Sequence, residues 1–181
     1  MVMIRLVILL VFVFQVSVGQ QTQKPWSASE KLQWLDFKAK PDSLSPFGAN
    51  TYSGLAYKYA VRREIKKQVV TYEVFGYFIP EKSWVKKGFG TDANLLAHEQ
   101  LHFDINETYV RKFRRRLKNT RFSKNPKKQI EAIYHKILAE REAMQKQYDL
   151  ETDHSRNKKM QQKWQYKINM LLTKFEQFAS K

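Results

Sequence analysis

Leu95-Leu96-Ala97-His98-Glu99-Gln100-Leu101-His102-Phe103-Asp104 sets two imidazoles four residues apart with a carboxylate directly after the first. On a helix, at about 100° per residue, His98 and His102 share one face a turn apart. Glu99 then stands roughly 60° around from His102, near enough to hold a water on a metal bound by both. This is the HExxH arrangement of zinc hydrolases. Zinc takes imidazole nitrogens at about 2 Å in tetrahedral geometry, and a catalytic site keeps one position for a water whose pKa the metal lowers towards 7. His98 and His102 are accordingly the expected ligands of a Zn2+ ion, and Glu99 the expected general base. The competing reading, two histidines satisfied in a core, has the weaker context.

The surroundings support a helix. Thr91 or Asp92 offers an N-cap, and the helix is expected to run to about residue 117. Leu95, His98, His102, Ile105, Tyr109 and Phe113 follow the 3-4 spacing of one buried face. After Ile105 come Arg111, Lys112, Arg114, Arg115, Arg116 and Lys118, which read as a solvated face at a helix C-terminus, where cations suit the dipole, in preference to a dedicated anion site. Upstream, residues 51–62 alternate Leu55, Tyr57, Tyr59 and Val61 to one side, and residues 68–79 are rich in β-branched and aromatic residues until Pro80 stops them. Leu32, Trp34 and Asp36 alternate with Gln33, Leu35 and Phe37 as a short strand or turn.

Downstream, Asn125-Pro126 breaks the chain, and residues 127–148 read as a second helix with Ile130, Ile133, Tyr134, Ile137, Leu138, Arg141 and Met144 on one broad face. Residues 148–155 read as a ligand-dense loop, and Met160, Trp164, Ile168, Leu171, Leu172, Phe175 and Phe178 mark a third helix. The expected fold is therefore α+β, a small antiparallel sheet followed by three long helices, zincin-like with HExxH on the first of them.

A catalytic zinc needs a third protein ligand. The pattern in which a glycine and a third histidine follow at fixed distances fails, because Ile105 and Thr108 stand there. His154 is the leading choice, from a loop that folds back over the helix; Glu151, Asp149 and Glu140 are rivals, since a carboxylate is equally good chemistry. Asp104 or Glu107 would orient a histidine N–H, and Tyr148 or His135 would stabilise an oxyanion, although packing and surface exposure are the plainer readings of the last two.

The ends and the composition bound the rest. Arg5, the apolar run from Leu6 to Phe14 and small residues at Ser17 and Gly19 read as a signal peptide over residues 1–19, leaving one domain over residues 20–181. Gln15 ends that run too early for a membrane anchor, and the lack of cysteine excludes a lipoprotein and thiolate ligands alike. The expected location is the periplasm or the medium. A net charge of +16 favours anionic partners, an envelope surface among them. A nucleic-acid binder would interleave aromatics with Lys and Arg on an exposed face, whereas most aromatics here read as core.

Trp34-Leu35-Asp36-Phe37, Ser83-Trp84-Val85, residues 95–105, Tyr109-Val110-Arg111-Lys112 and residues 148–155, with Gln161 and Trp164, together resemble the bacterial domain-of-unknown-function 922 family. Its members are described as predicted secreted zinc-dependent proteases, so the resemblance implies a peptidase acting on peptide or protein substrates and raises His154 as a site element. Leu101 departs from the family, which usually has a small residue there. The expected function is thus a secreted zinc metallohydrolase; the rival is a non-catalytic, basic envelope-binding module with a structural zinc.

Overall fold

A computed structural model describes residues 22–63 and 68–180. The signal-peptide reading falls on residues outside these. The β-branched and aromatic runs form the two long strands, β3 (Ser53–Arg63) and β4 (Gln68–Phe78), paired antiparallel from Ser53 opposite Phe78 to Arg63 opposite Gln68. The short β1 (Lys24–Pro25) joins the far edge of β4, giving the order β1-β4-β3, and Pro25 is tolerated there because an edge strand leaves its missing N–H unneeded. A second, two-stranded sheet pairs β2 (Ala49–Asn50) with β5 (Trp84–Val85). Three helices follow: α1 (Ala93–Lys118), α2 (Pro126–Thr152) and α3 (Lys158–Lys174). The architecture is α+β with a small antiparallel sheet and three helices, as expected. Among the described residues no helix is long and apolar enough to cross a membrane.

The expected alternation around Trp34 does not hold. Residues Trp34–Asp36 form a 3-10 turn, so Leu32 and Phe37 fall on the same side and pack with Phe78 and Phe103, while Leu35 is left 86% exposed. The one-faced reading of α1 also needs correction. From Phe103 to Arg111 every residue of α1 is buried, because the sheet covers one side while α2 and α3 cover the other. Leu55 and Val74 of the sheet share one core with Ile105, Val110 and Phe113 of α1, Ile130 and Ile137 of α2, and Trp164 and Ile168 of α3.

A helix buried all round must pair its polar groups internally. Asn106 Nδ2 donates to Gly54 O at 2.7 Å, and its Oδ1 accepts from Arg141 at 2.8 Å. Arg111 bridges Glu107 (2.8 Å) and Leu172 O (2.7 Å), while Arg114 reaches Val74 O (3.0 Å) and Phe178 O (2.8 Å). These two arginines are therefore internal clamps and not part of a solvated face. Burial pushes the Glu107 carboxyl up, against the pull of Arg111.

Close approach of β4 to α1 rests on Gly76. A Cβ there would stand 2.8 Å from Val110 Cγ2 and 3.1 Å from Asn106 Nδ2. Gly76→Ala is expected to cost about 1–3 kcal/mol through overpacking, read as a lower denaturation midpoint, and Val110→Ala in the same chain to regain part of it.

Candidate metal centre

Asp92 caps α1 by accepting from Asn94 N and Leu95 N, both at 2.9 Å, which starts the helix early enough to put His98 and His102 in its second and third turns. Both rings face α2. That helix does not stop at Tyr148 as the polar run suggested: it continues through Asp149 to Thr152. No Pro or Gly interrupts residues 127–152, and the turn that ends α2 is made instead by Asp153, His154 and Ser155, all at positive φ (46°, 49° and 79°). Asn94 Nδ2 holds this turn through Ser155 O at 2.7 Å. Three consecutive non-glycine residues in that region are strained, and persist only where their surroundings over-determine them.

The longer helix carries Asp149 to the histidines. Its Oδ1 lies 3.2 Å from His98 Nε2 and 3.0 Å from His102 Nε2, and the two nitrogens are 3.1 Å apart. Donors held tetrahedrally about 2.0–2.1 Å from one zinc stand about 3.3–3.4 Å from each other, so this triangle needs only slight widening to fit the ion. The outer ring nitrogens are also set. Gln161 Oε1 faces His98 Nδ1 at 3.2 Å and Gln145 Oε1 faces His102 Nδ1 at 2.6 Å. Amide oxygens only accept, so each Nδ1 carries a proton, and in the neutral ring each Nε2 would present its lone pair to a metal. Gln145 is itself fixed by donating to His102 O at 2.9 Å.

Electrostatics tie the three together. Burial opposes a charge on His102, but the hydrogen bond and charge of Asp149, with the charge of Glu99, raise it to about 9. Burial likewise works against a charge on Asp149, yet the bonds from His102 and His98 hold that carboxyl well below the usual carboxylate range. Glu99 is 4% exposed, and its Oε2 is buried without a partner. It lines, with the three donors, an open cavity of about 690 Å³.

Other expected site residues fall elsewhere. His154 is not in the donor triangle: its Nδ1 is 3.8 Å from Asp149 Oδ1, and its ring rests on Phe47 at the cavity wall, centroids 4.3 Å apart. Tyr148 is fully buried behind the site, stacked on His98 and donating to Gln161 Oε1 at 2.6 Å, so it does not face the cavity. Burial pushes its phenol well up. Asp104 accepts from Trp26 at 2.6 Å and Gln100 at 2.9 Å and touches neither histidine. Glu151 takes the indole N–H of Trp164 at 2.8 Å, Glu140 pairs with Arg116 at 2.7 Å, Glu107 pairs with Arg111, and His135 lies exposed on α2. Leu101 packs in the main core. Gln145 was not anticipated; the four-residue spacing 141-145-149 along one helix face would have shown it, had α2 been read to its true end.

Residues 83–155 match the family model described as Bacterial protein of unknown function (DUF922). The matched segment runs from the start of β5 to the strained turn and contains His98, Glu99, His102, Asp149 and His154. No curated protein and no solved structure matches the chain.

Proposed function

We propose that this chain, a member of that bacterial family over residues 83–155, is a zinc-dependent hydrolase with a zincin-like site, and more narrowly a peptidase. The observation that carries the reading is the triangle of His98 Nε2, His102 Nε2 and Asp149 Oδ1 beside the unpartnered, buried Glu99 Oε2, all on one open cavity. Two imidazoles and one carboxylate are a donor set that suits zinc. Such an ion supplies Lewis acidity and makes water acidic enough to attack near neutral pH. His98, His102 and Asp149 would hold it, Gln161 and Gln145 keeping the rings in register. Glu99 would take the proton of the attacking water at Oε2 and return it to the leaving amine.

Three protein donors opening on a cavity suit a catalytic site better than the rival structural zinc, which is ordinarily closed by four. An extended substrate suits the cavity too. Ala49 and Asn50 of β2, a strand paired among the described residues with β5 alone, line the wall, and β2 would offer an edge for strand addition. The basic leader and apolar run would send the protein to the periplasm or the medium.

Purified protein is expected to carry about one zinc per chain and to cleave members of a peptide library in a chelator-sensitive, zinc-restored manner. Finding neither metal nor cleavage would overturn the proposal. In the metal-free protein the raised pKa of His102, about 9, stabilises the fold fully below its ordinary 6.5, and this is lost as pH rises through 9. The same proton competes with metal, so zinc affinity measured by chelator competition is expected to rise by about tenfold per pH unit from about 6 to 9.

A further inference from the structure

The basic run at the end of α1 has a second half that the internal clamps leave unexplained. Lys112, Arg115 and Arg116 recur at helical spacing along one face of α1, Asn119 and Thr120 continue it just past the helix end, and Ile133 and Lys136 of α2 stand across from them. With Phe175 these residues line a second cavity of about 560 Å³, which shares no lining residue with the metal cavity. Four cations converge there without a carboxylate among the lining residues; Glu140, just outside, binds Arg116 Nη2 at 2.7 and 2.9 Å.

Helix capping does not account for these charges. The last carbonyls of α1 are taken by Asn119 N on Arg115 O (3.0 Å), Thr120 N on Leu117 O (3.1 Å) and Thr120 Oγ1 on Arg116 O (2.7 Å). Glu140 pairs directly with Arg116 alone of the four, and Arg116 Nη1 is still buried without a hydrogen-bond partner, while Lys112 Nζ lies over the Tyr109 ring at 4.1 Å and Arg115 over Phe175 at 5.4 Å. Like charges three and four residues apart repel, and burial already lowers the Lys112 ammonium pKa, so the arrangement is one that a bound anion would relieve.

We propose that this cavity is an anion site for a phosphate group carried on a larger molecule. Guanidinium forks match phosphate oxygens, and an excess of about three positive charges after Glu140 suits a dianion better than a carboxylate. The volume exceeds that of a bare phosphate and falls in the range of small-molecule sites, about 300–1,000 Å³, with Ile133 and Phe175 as an apolar wall for the carrier. The site lies ten residues along α1 from His102, about 15 Å, and stands or falls independently of the metal.

The test is titration of the full chain with inorganic phosphate at constant ionic strength, followed by amide resonances at Lys112, Arg115 and Lys136, so that phosphate at the metal cavity is not counted. Saturable binding is expected. Lys112→Gln with Lys136→Gln should weaken it at least tenfold, and Lys136→Glu alone, at an exposed position, should weaken it severalfold if the half-buried Lys112 cannot be changed without unfolding. The exposed pair Lys159→Gln and Lys163→Gln, which removes the same charge from α3, should leave it within twofold. A parallel arm uses phosphatidylcholine vesicles with and without phosphatidylglycerol: vesicle binding competed by phosphate identifies a lipid headgroup as the source, and phosphate binding without vesicle binding identifies a soluble phosphate compound. Absence of saturation, or equal loss in the α3 pair, would overturn the site and reduce the effect to net charge.

Discussion

Asp149→Ala is expected to weaken zinc binding by more than about a hundredfold, whereas His154→Ala leaves it within about threefold. Partners outside the donor set are commonly worth about 10- to 100-fold in affinity, so a true donor must exceed that. The distances separate the two residues. Asp149 Oδ1 is within 3.2 Å of both imidazole Nε2 atoms, and His154 reaches only the carboxylate, at 3.8 Å, from a ring held against Phe47. Competition with a chromophoric chelator reads the affinity, and an unchanged melting profile for His154→Ala shows that the strained turn has survived. Loss of His154 should instead appear in turnover, since its side chain forms part of the cavity wall. A drop in zinc affinity for His154→Ala matching that of Asp149→Ala would return His154 to the donor set and sink the triangle.

The exchange of His154 for Asp149 shows where sequence reasoning holds and where it stops. Local signals placed α1, its Asp92 cap and the long strands to within about two residues, because β-branched runs, a capping carboxylate and helical spacing are encoded residue by residue. His98 and His102 were legible for the same reason: their relation is fixed by one helix. Asp149 depends on where another helix ends. The polar stretch after Tyr148 resembles a loop in composition, but a helix end is set by its cap, and the cap here is three non-glycine residues at positive φ, held by the backbone bond of His154 N to Asp149 O and by the tertiary contacts of Ser155 O with Asn94 and of the His154 ring with Phe47. Read as a loop, the stretch brings His154 inward; read as a last helical turn, it aims Asp149 at the rings and sends His154 to the rim. The burial of α1 on all sides was hidden in a comparable way, since Asn106, Glu107 and Arg111 look like surface residues until their partners on β3 and α3 are known.

Glu99→Gln is expected to lower kcat/KM for peptide cleavage by about a thousandfold or more while the zinc content stays at its normal value, in line with the roughly 10²–10⁴ that a positioned acid–base group contributes. The substitution keeps the shape of a side chain that is 4% exposed, so packing is not the variable. Oε2 has no hydrogen-bond partner, so no structural bond at that oxygen is lost, and the change removes its capacity to accept a proton. Metal binding should not suffer, because Glu99 lies outside the donor triangle. A loss of activity with the zinc retained is a pairing that misfolding cannot produce, and it separates a proton-transfer role from a structural one. If Glu99→Gln retained both its zinc and full cleavage, the general-base assignment would fail; if the unaltered protein held zinc yet cleaved nothing, the ion would be a staple in a basic envelope-binding module instead.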